Sequence, residues 1–300
     1  MSAMEASPLL RRNDRLRRRK AVNRLMELVA GLAAAIGVAL LVIVVYKIFR
    51  NGFGQLNADL FTKPYIPLAP PGIPNGMGNA FVGTLMIVGI AAVIGIPIGI
   101  LIAIYLVELA PRWARNSISL VLDVLQGIPA IVLGIFYYTL LVISTHEQRA
   151  LWGSIALATM MLPLVARSTM EVLLLVPNSL REASLGLGIP RWRTTLGVVL
   201  PQAVGGIVTG GILAVSRIAG EAAPLLFLTA IVSNTFDWNP LHPLQSVPLA
   251  ILSMIESPYP EDHARLWAGA LVITLFILFM NLGARWLANR SRRKLGRISA

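Results

Sequence analysis

Apolar runs close to twenty residues long recur along this chain and constrain its fold more than any other feature of the sequence. A helix needs about 20 apolar residues to cross the ~30 Å hydrocarbon core of a bilayer. The helix pairs its own backbone N–H and C=O groups, because the hydrocarbon offers them no hydrogen-bond partner. The composition agrees, because 56% of the residues are hydrophobic, 13% are charged and the mean hydropathy is +0.73. These values exclude an ordinary soluble domain. We therefore predict an all-α polytopic membrane protein.

Six runs are candidate transmembrane helices. Their predicted bounds are 28–47, 80–107, 117–143, 150–173, 202–232 and 266–288. The third run is interrupted by Gly127-Ile128-Pro129, which neighbouring helices can accommodate. The first run ends in bulky residues and has no small-residue cleavage site, so we predict a retained helix and not a signal peptide. The predicted organisation is a basic N-terminus (1–27), a membrane domain (28–288) and a basic tail (289–300).

The distribution of Lys and Arg predicts that both termini lie in the cytoplasm. Basic residues are concentrated at the two ends, in 11–20 and 290–297, whereas the loop 233–264 has four acidic residues and no Lys or Arg. Basic flanks mark the cytoplasmic side of a membrane protein. The net charge of +12 therefore predicts membrane topology and not nucleic-acid binding. The same rule places the Pro-rich segment 51–79 outside.

Several kinds of chemistry are excluded by absent residues. None of the four lysines follows a glycine, so the chain has no G-K-[ST] phosphate loop and cannot be an ATPase of that class. It has no cysteine, and its three histidines do not form an H-E-x-x-H motif. We predict that this chain is not an enzyme and binds no cofactor or metal.

A polar segment, Leu180–Pro201, separates two apolar runs. We predict a short helix, a break at Gly188 and Pro190, and a second short helix. Ser179 is a candidate N-cap, with Glu182 three positions later as in a capping box. Such an element offers a compact surface to a partner protein; a plain cytoplasmic hairpin is the alternative.

Arg217 and Glu221 lie within the fifth predicted span. A charge at the centre of a bilayer costs about 2.5–3.5 kcal/mol on insertion scales, so it needs a partner or a function. Arg217 is predicted ~24 Å along the helix from Pro201, with Glu221 one turn further on the same face. The two side chains either neutralise each other as an ion pair, or Arg217 meets a passing anion that Glu221 holds or releases. Arg167 is a weaker candidate, because its side chain could also extend to the cytoplasmic surface.

The polar segment resembles the EAA loop of bacterial ABC-importer permeases, E-A-A-x-x-x-G followed after nine residues by I-x-L-P. Glu182-Ala183-Ser184 begins the match, with Ser184 where the family usually has Ala, and Val198-x-Leu200-Pro201 ends it. The segments Asn79–Thr84, Leu162–Arg167 and Gly220–Phe227 are also similar to PstA-type permeases of phosphate importers, with Ala222 replacing a common Thr. The similarity extends from about Asn79 to Leu252.

This resemblance implies a six-helix bundle like that of type I ABC-importer permeases, which moves inorganic phosphate across the bacterial inner membrane by alternating access. It implies three protein partners: a homologous PstC-like permease subunit, a dimer of PstB-like ATP-binding subunits that carry the ATP and Mg²⁺, and an extracytoplasmic PstS-like phosphate-binding protein. Inorganic phosphate would be the substrate. Arg217, Glu221 and Arg167 would line the substrate path. The residues that would couple the chain to the ATPase are Glu182, Ala183, Ser184, Gly188, Pro190, Leu200 and Pro201.

Two alternatives stay open at this point. One is a permease for another oxyanion, such as sulfate or molybdate. The other is a polytopic membrane enzyme or scaffold, although the sequence shows no convergent His, Asp and Ser set at one membrane depth.

Overall fold

A computed structural model describes the backbone of residues 8–70 and 72–295, and the side chains of residues 16, 18–70 and 72–288. Within these residues every regular element is helical, so the predicted all-α fold is confirmed. The chain divides into two compact units, and the boundary between them in the sequence falls between Arg50 and Asn51.

The first unit consists of most of helix α1, which runs from Pro8 to Phe53. This single helix includes the first predicted span and the described part of the predicted basic N-terminus. The side chains of its apolar stretch are exposed, for example Leu28 at 65% and Leu40 at 60%. Such a surface is expected of a helix that is surrounded by hydrocarbon.

The second unit contains twelve further helices among its described residues. They are α2 (Ala58–Thr62), α3 (Gly78–Ile104), α4 (Arg112–Gly127), α5 (Ala130–Tyr137), α6 (Ile143–Thr145), α7 (Ala150–Leu174), α8 (Asn178–Gly186), α9 (Arg191–Thr194), α10 (Leu200–Ile218), α11 (Leu225–Leu228), α12 (Val247–Ile255) and α13 (Pro260–Leu295). Short π-helical turns follow α3, α5 and α9, at Tyr105–Leu109, Tyr138–Val142 and Thr195–Val199. The predicted basic tail therefore begins within α13, and its last residues, 296–300, lie outside the described residues.

The centre of this unit is a pair of long helices, α3 and α7, with α10 against α7 and α13 against α10. Small residues allow these backbones to approach closely, which is the usual packing of helices in membranes. A Cβ added to Gly99 of α3 would lie 2.8 Å from Val165 of α7, and one added to Gly206 of α10 would lie 2.6 Å from Val172 of α7.

Five helical stretches are long and apolar enough to cross a membrane, and a bent helix pair brings the number to six if it counts as one span. The spans predicted at 28–47, 80–107, 150–173 and 266–288 lie inside four of these stretches. The six-span prediction therefore holds only with the bent pair included.

The third predicted span, 117–143, is this bent pair. Helix α4 ends at Gly127 and α5 begins at Ala130, with an angle of 99° between them. Pro129 has no N–H to donate, and a proline disfavours helical backbone at the residue before it. Ile128 accordingly has an extended conformation, with ψ at 128°.

The fifth predicted span, 202–232, is wrong in its length, because α10 ends at Ile218. The chain then turns through Gly220 to Pro224 before the single turn of α11. This segment packs so closely on α5 that a Cβ added to Gly134 would lie 2.7 Å from the Cα of Pro224. A packed loop, and not a further length of helix, therefore occupies this region.

Polar side chains close the end of the bundle at which α3 and α7 begin. The Asn79 side chain accepts a hydrogen bond from the backbone N–H of Tyr65 at 2.9 Å, and the Thr84 hydroxyl accepts one from Val247 at 2.8 Å. The carbonyl of His242 accepts a hydrogen bond from Ala150 at the start of α7.

Candidate transport site and coupling loop

A cavity of about 230 Å³ lies where the bend between α4 and α5 meets the end of α10. Its walls include Gln126, Pro129, Met160, Leu164, Arg217 and Glu221. Apolar side chains thus form much of the wall, with one cation, one carboxylate and one amide among them. The structure brings together Arg217 and Glu221, two of the three predicted substrate-path residues.

Arg217 lies in the last turn of α10, where the helix dipole favours a positive charge. Its side chain is exposed to the cavity and makes no hydrogen bond or ion pair with any described residue. The rise of the helix places it ~26 Å along α10 from Leu200, close to the predicted depth. A guanidinium has five N–H donors, and here they are available to an anion.

Glu221 is not on α10, so its predicted place one turn beyond Arg217 on the same helical face is wrong. The helix ends at Ile218, and the N–H of Glu221 donates to the Ile218 carbonyl at 3.1 Å in the turn that follows. The half-buried carboxylate reaches the cavity from this loop. Among the described residues, Arg217 and Glu221 form no ion pair, so the structure does not support a self-neutralising pair.

Arg167 is in an ion pair outside the cavity wall. Its Nη2 donates to Asp123 Oδ1 at 2.5 Å and to the Ser119 carbonyl at 3.1 Å, which joins α7 to α4. Leu164 on α7 and Gln126 on α4 each lie three residues from this pair and line the cavity. The pair therefore lies about one helical turn away from the cavity, toward the C-terminal end of α7.

The segment 179–201, which adds the N-cap candidate Ser179 to the polar segment and is here called the coupling loop, is closed by a hydrogen bond between its two arms. Ser184 Oγ on α8 lies 2.9 Å from Thr194 Oγ1 on α9, and both side chains are buried. Gly188 between the arms has φ at +78°, in the left-handed region that strongly favours glycine. The side chains of Glu182 and Pro190 are exposed.

Residues 95–293 match the family model of the binding-protein-dependent transport system inner membrane component. A phosphate transport system permease protein PstA from Xylella fastidiosa is 38% identical over 278 residues, which cover 92% of this chain and 96% of the relative. Another PstA, from Haemophilus influenzae, is 37% identical over 269 residues and covers 89% and 94%.

The chain belongs to the PstA permease family.

Solved structures agree on the fold of this PstA-family permease. A bacterial ABC transporter involved in the import of the acidic polysaccharide alginate superposes with a TM-score of 0.58 at 15% identity, covering 91% of this chain and 99% of that one. The predicted ABC-importer permease fold is confirmed, as is the prediction of a transport subunit in place of an enzyme.

The coupling loop of the permease differs from the sequence prediction in two ways. The capping box is wrong, because α8 begins at Asn178 after Pro177 and has no side-chain cap. The second short helix is not separate, since helical backbone continues from Arg191 to Ile218. Pro201 is the second residue of α10, which follows a π-helical turn where the backbone bonding pattern is already altered. The predicted break at Gly188 and Pro190 is confirmed.

Neither Gln126 nor the ion pair of Asp123 with Arg167 was predicted from the sequence. Gln126 directly precedes the Gly127 break, and a polar side chain beside an interrupted span is a signal that could have identified it. The described residues hold no cluster of three or more His, Asp or Glu side chains suited to a metal ion. The absence of a bound cofactor stays a prediction.

Proposed function

We propose that this chain is the membrane-spanning subunit of an ATP-driven importer that moves inorganic phosphate into the cytoplasm by alternating access. The observation that carries the proposal is the unpaired Arg217 guanidinium on a cavity at the bend between two helices. Relatives that are 35–38% identical are phosphate transport system permeases, which supports phosphate as the substrate.

The cavity has suitable chemistry for a doubly charged oxyanion. Arg217 can donate two parallel hydrogen bonds to phosphate oxygens, and the amide of Gln126 can donate a third. Glu221 faces the same space and repels an anion, which keeps binding weak. A transport site must bind its substrate strongly enough for entry and weakly enough for release. The cavity volume of about 230 Å³ is several times the ~30 Å³ that one water molecule occupies in the liquid. A hydrated or partly hydrated phosphate therefore has room.

Arg167 is the next cation on the proposed path toward the cytoplasm. Asp123 is already paired with it and is exposed at 60%, so an entering phosphate would compete with this carboxylate for the guanidinium. We propose that Asp123 limits the time that phosphate spends on Arg167. The pair would then favour release over retention.

The coupling loop is the proposed contact with the ATPase. Glu182, Ala183, Gly188, Pro190 and Pro201 are exposed and available to a partner. Ser184 is buried against Thr194 and Leu200 is half-buried, so these two residues would shape the loop from within. The proposed assembly contains a PstC-like permease, two PstB-like subunits that bind ATP and Mg²⁺, and a PstS-like binding protein.

The proposed topology has both termini and the coupling loop in the cytoplasm. The chain contains no cysteine, so single cysteines can be introduced without background. Lys63→Cys and Leu187→Cys each replace an exposed side chain, on the proposed outer and inner sides. An impermeant thiol reagent added to intact cells should label only the first; labelling of only the second would contradict this topology.

The function is tested by expressing this chain together with its proposed PstC-like, PstB-like and PstS-like partners. The permease should purify with the ATPase, and proteoliposomes of the complex should take up phosphate only with ATP and the binding protein. An excess of sulfate or molybdate should not inhibit the uptake of phosphate. Uptake of either oxyanion in preference to phosphate would assign the permease to that substrate, and failure to associate with any ATPase would contradict the importer function.

A further inference from the structure

Arg181, on the coupling helix α8, is the most extensively bonded cation in the part of the chain that the structure describes. Its Nε and Nη2 donate to Glu108 Oε1 at 3.2 and 2.9 Å. It also donates to the carbonyls of Leu173 at 2.8 Å and Val176 at 2.5 Å, and to the side chain of Asn178 at 3.2 Å. One guanidinium thus joins α8 to the end of α7 and to the π-helical turn after α3.

The pair of Arg181 and Glu108 is well shielded from water. The side chains are exposed at 16% and 11%, whereas every other ion pair of the described residues either joins residues close in sequence or has a partner exposed at 60%. Arg181 and Glu108 are 73 residues apart. A shielded, multiply bonded pair across distant elements resists separation more strongly than a surface pair does.

An apolar cluster adds to the same junction. The residues buried together are Ala103 of α3, Leu173 near the end of α7, Val176 just after it, Val199 of the π-helical turn before α10, and Ala203 of α10. The C-terminal ends of α3 and α7 and the N-terminal end of α10 therefore meet where Arg181 is bonded. Helix α8 is connected to α7 and to the turn after α3 through Arg181, and the apolar cluster connects the other end of the coupling loop, at Val199, to α3 and α7.

Helix α7 leads from this junction to the transport site. Its residues Met160 and Leu164 line the cavity that contains Arg217. The helix is packed along its length against α3, where Gly95 and Gly99 face Met161 and Val165. A rigid shift of the α3–α7 pair would therefore change the wall of the cavity.

We propose that the Arg181–Glu108 pair transmits movement of the coupling helix to the α3–α7 pair and so to the cavity, which makes Glu108 a positioning residue for transport. The proposal rests on the proposed function, since it requires an ATPase that acts on α8. It goes beyond the EAA-like residues, because Glu108 lies outside the coupling loop and Arg181 precedes Glu182. A purely structural role is the alternative, in which Arg181 only satisfies the last carbonyls of α7.

Glu108→Gln tests the proposal with little change in shape. The amide can still accept a hydrogen bond from Arg181, but it lacks the charge that makes the bond strong. Glu108→Asp keeps the charge and withdraws it by one carbon, so it should have an intermediate effect. Glu147→Gln is the matched control, because Glu147 pairs with Arg149 at the opposite end of α7 and is exposed at 61%.

The measurement is phosphate uptake and ATP hydrolysis by the complete complex in proteoliposomes, at equal amounts of assembled protein. For Glu108→Gln we expect normal association with the ATPase and a fall of about tenfold in phosphate moved per ATP, within the range known for coupling between distant sites. The control should keep the wild-type ratio. A change in this ratio is a readout that loss of stability alone would not produce.

The outcomes separate this inference from the function on which it rests. If the wild-type complex does not move phosphate, the proposed function fails. If it does, and Glu108→Gln moves as much phosphate per ATP as the wild type, the inference alone is overturned. The inference would also be overturned if neither Glu108 variant formed the assembled complex while the Glu147→Gln control did. The Arg181–Glu108 pair would then be needed for folding or assembly and not for transmitting movement.

Discussion

Arg217 and Glu221 face one cavity from two different elements, the last turn of α10 and the loop that follows it. They do not share a helix, and no ion pair joins them among the described residues. An ion pair on successive turns would place the carboxylate in competition with an anion for the guanidinium. The observed arrangement leaves Arg217 free for an anion while a negative charge remains nearby.

Arg217→Gln should lower phosphate uptake by about 10- to 100-fold, which corresponds to the ~1.5–3 kcal/mol of a hydrogen bond to a charged group. Arg217→Lys should retain part of the activity, since lysine keeps the charge but lacks the planar fork that binds two oxygens. Uptake is measured in membranes with subunit levels matched by immunoblot.

Arg149→Gln serves as the control for the Arg217 series, because Arg149 pairs with Glu147 away from the cavity. It should transport at the wild-type rate. Wild-type uptake by Arg217→Gln at matched levels would remove Arg217 from the substrate path.

Asp123→Asn should slow phosphate release, since it removes the carboxylate that competes for Arg167. We expect maximal uptake to fall severalfold with little change in the phosphate concentration that gives half-maximal uptake. Arg167→Gln should also lower the maximal rate of phosphate uptake. Adding Asp123→Asn to Arg167→Gln should lower this rate no further. Additive losses in the double variant would show that the two side chains act independently.

Gly188→Ala should weaken the complex with the ATPase, because a residue with a Cβ at φ +78° is strained by about 1–2 kcal/mol. Gly186→Ala is the matched control: a Cβ there meets no atom within 4 Å and the backbone is helical. Co-purification of the ATPase measures the effect. Equal amounts of ATPase with both variants would show that the left-handed turn does not shape the contact surface.

The loop at Asp237 should lose order in acid. The N–H of Asn239 and then the side chain of His242 stabilise the ionised carboxylate, which lowers the pKa of Asp237. A lowered folded-state pKa means that this contribution is present above the usual aspartate value of ~3.9 and is lost as the pH falls through the lower value. Neighbouring carbonyls of this loop accept the N–H groups of Ala150 and Leu151.

Hydrogen exchange at residues 150 and 151, corrected for the intrinsic effect of pH, measures this change. Protection should fall in acid for the wild type, and Asp237→Asn should show reduced protection at neutral pH as well. Asp59→Asn, at an exposed position in another segment, should match the wild type. Unchanged protection in Asp237→Asn would rule out this role for the carboxylate.

The sequence by itself determined the membrane class, the positions of most spans and the break at Gly188 and Pro190, and it identified Arg217 as a candidate for the substrate path. These features depend on the local hydrophobicity of a helix-length segment or on the backbone preferences of single residues. Gly220 and Pro224 are local signals for the end of α10 at Ile218, but the apolar residues Leu225–Phe227 continue the run in the sequence, and only the structure shows that this segment packs on Gly134 instead of extending α10. The partners of Arg167 and Arg181 are 44 and 73 residues away in sequence, so only the tertiary structure decided which charges meet.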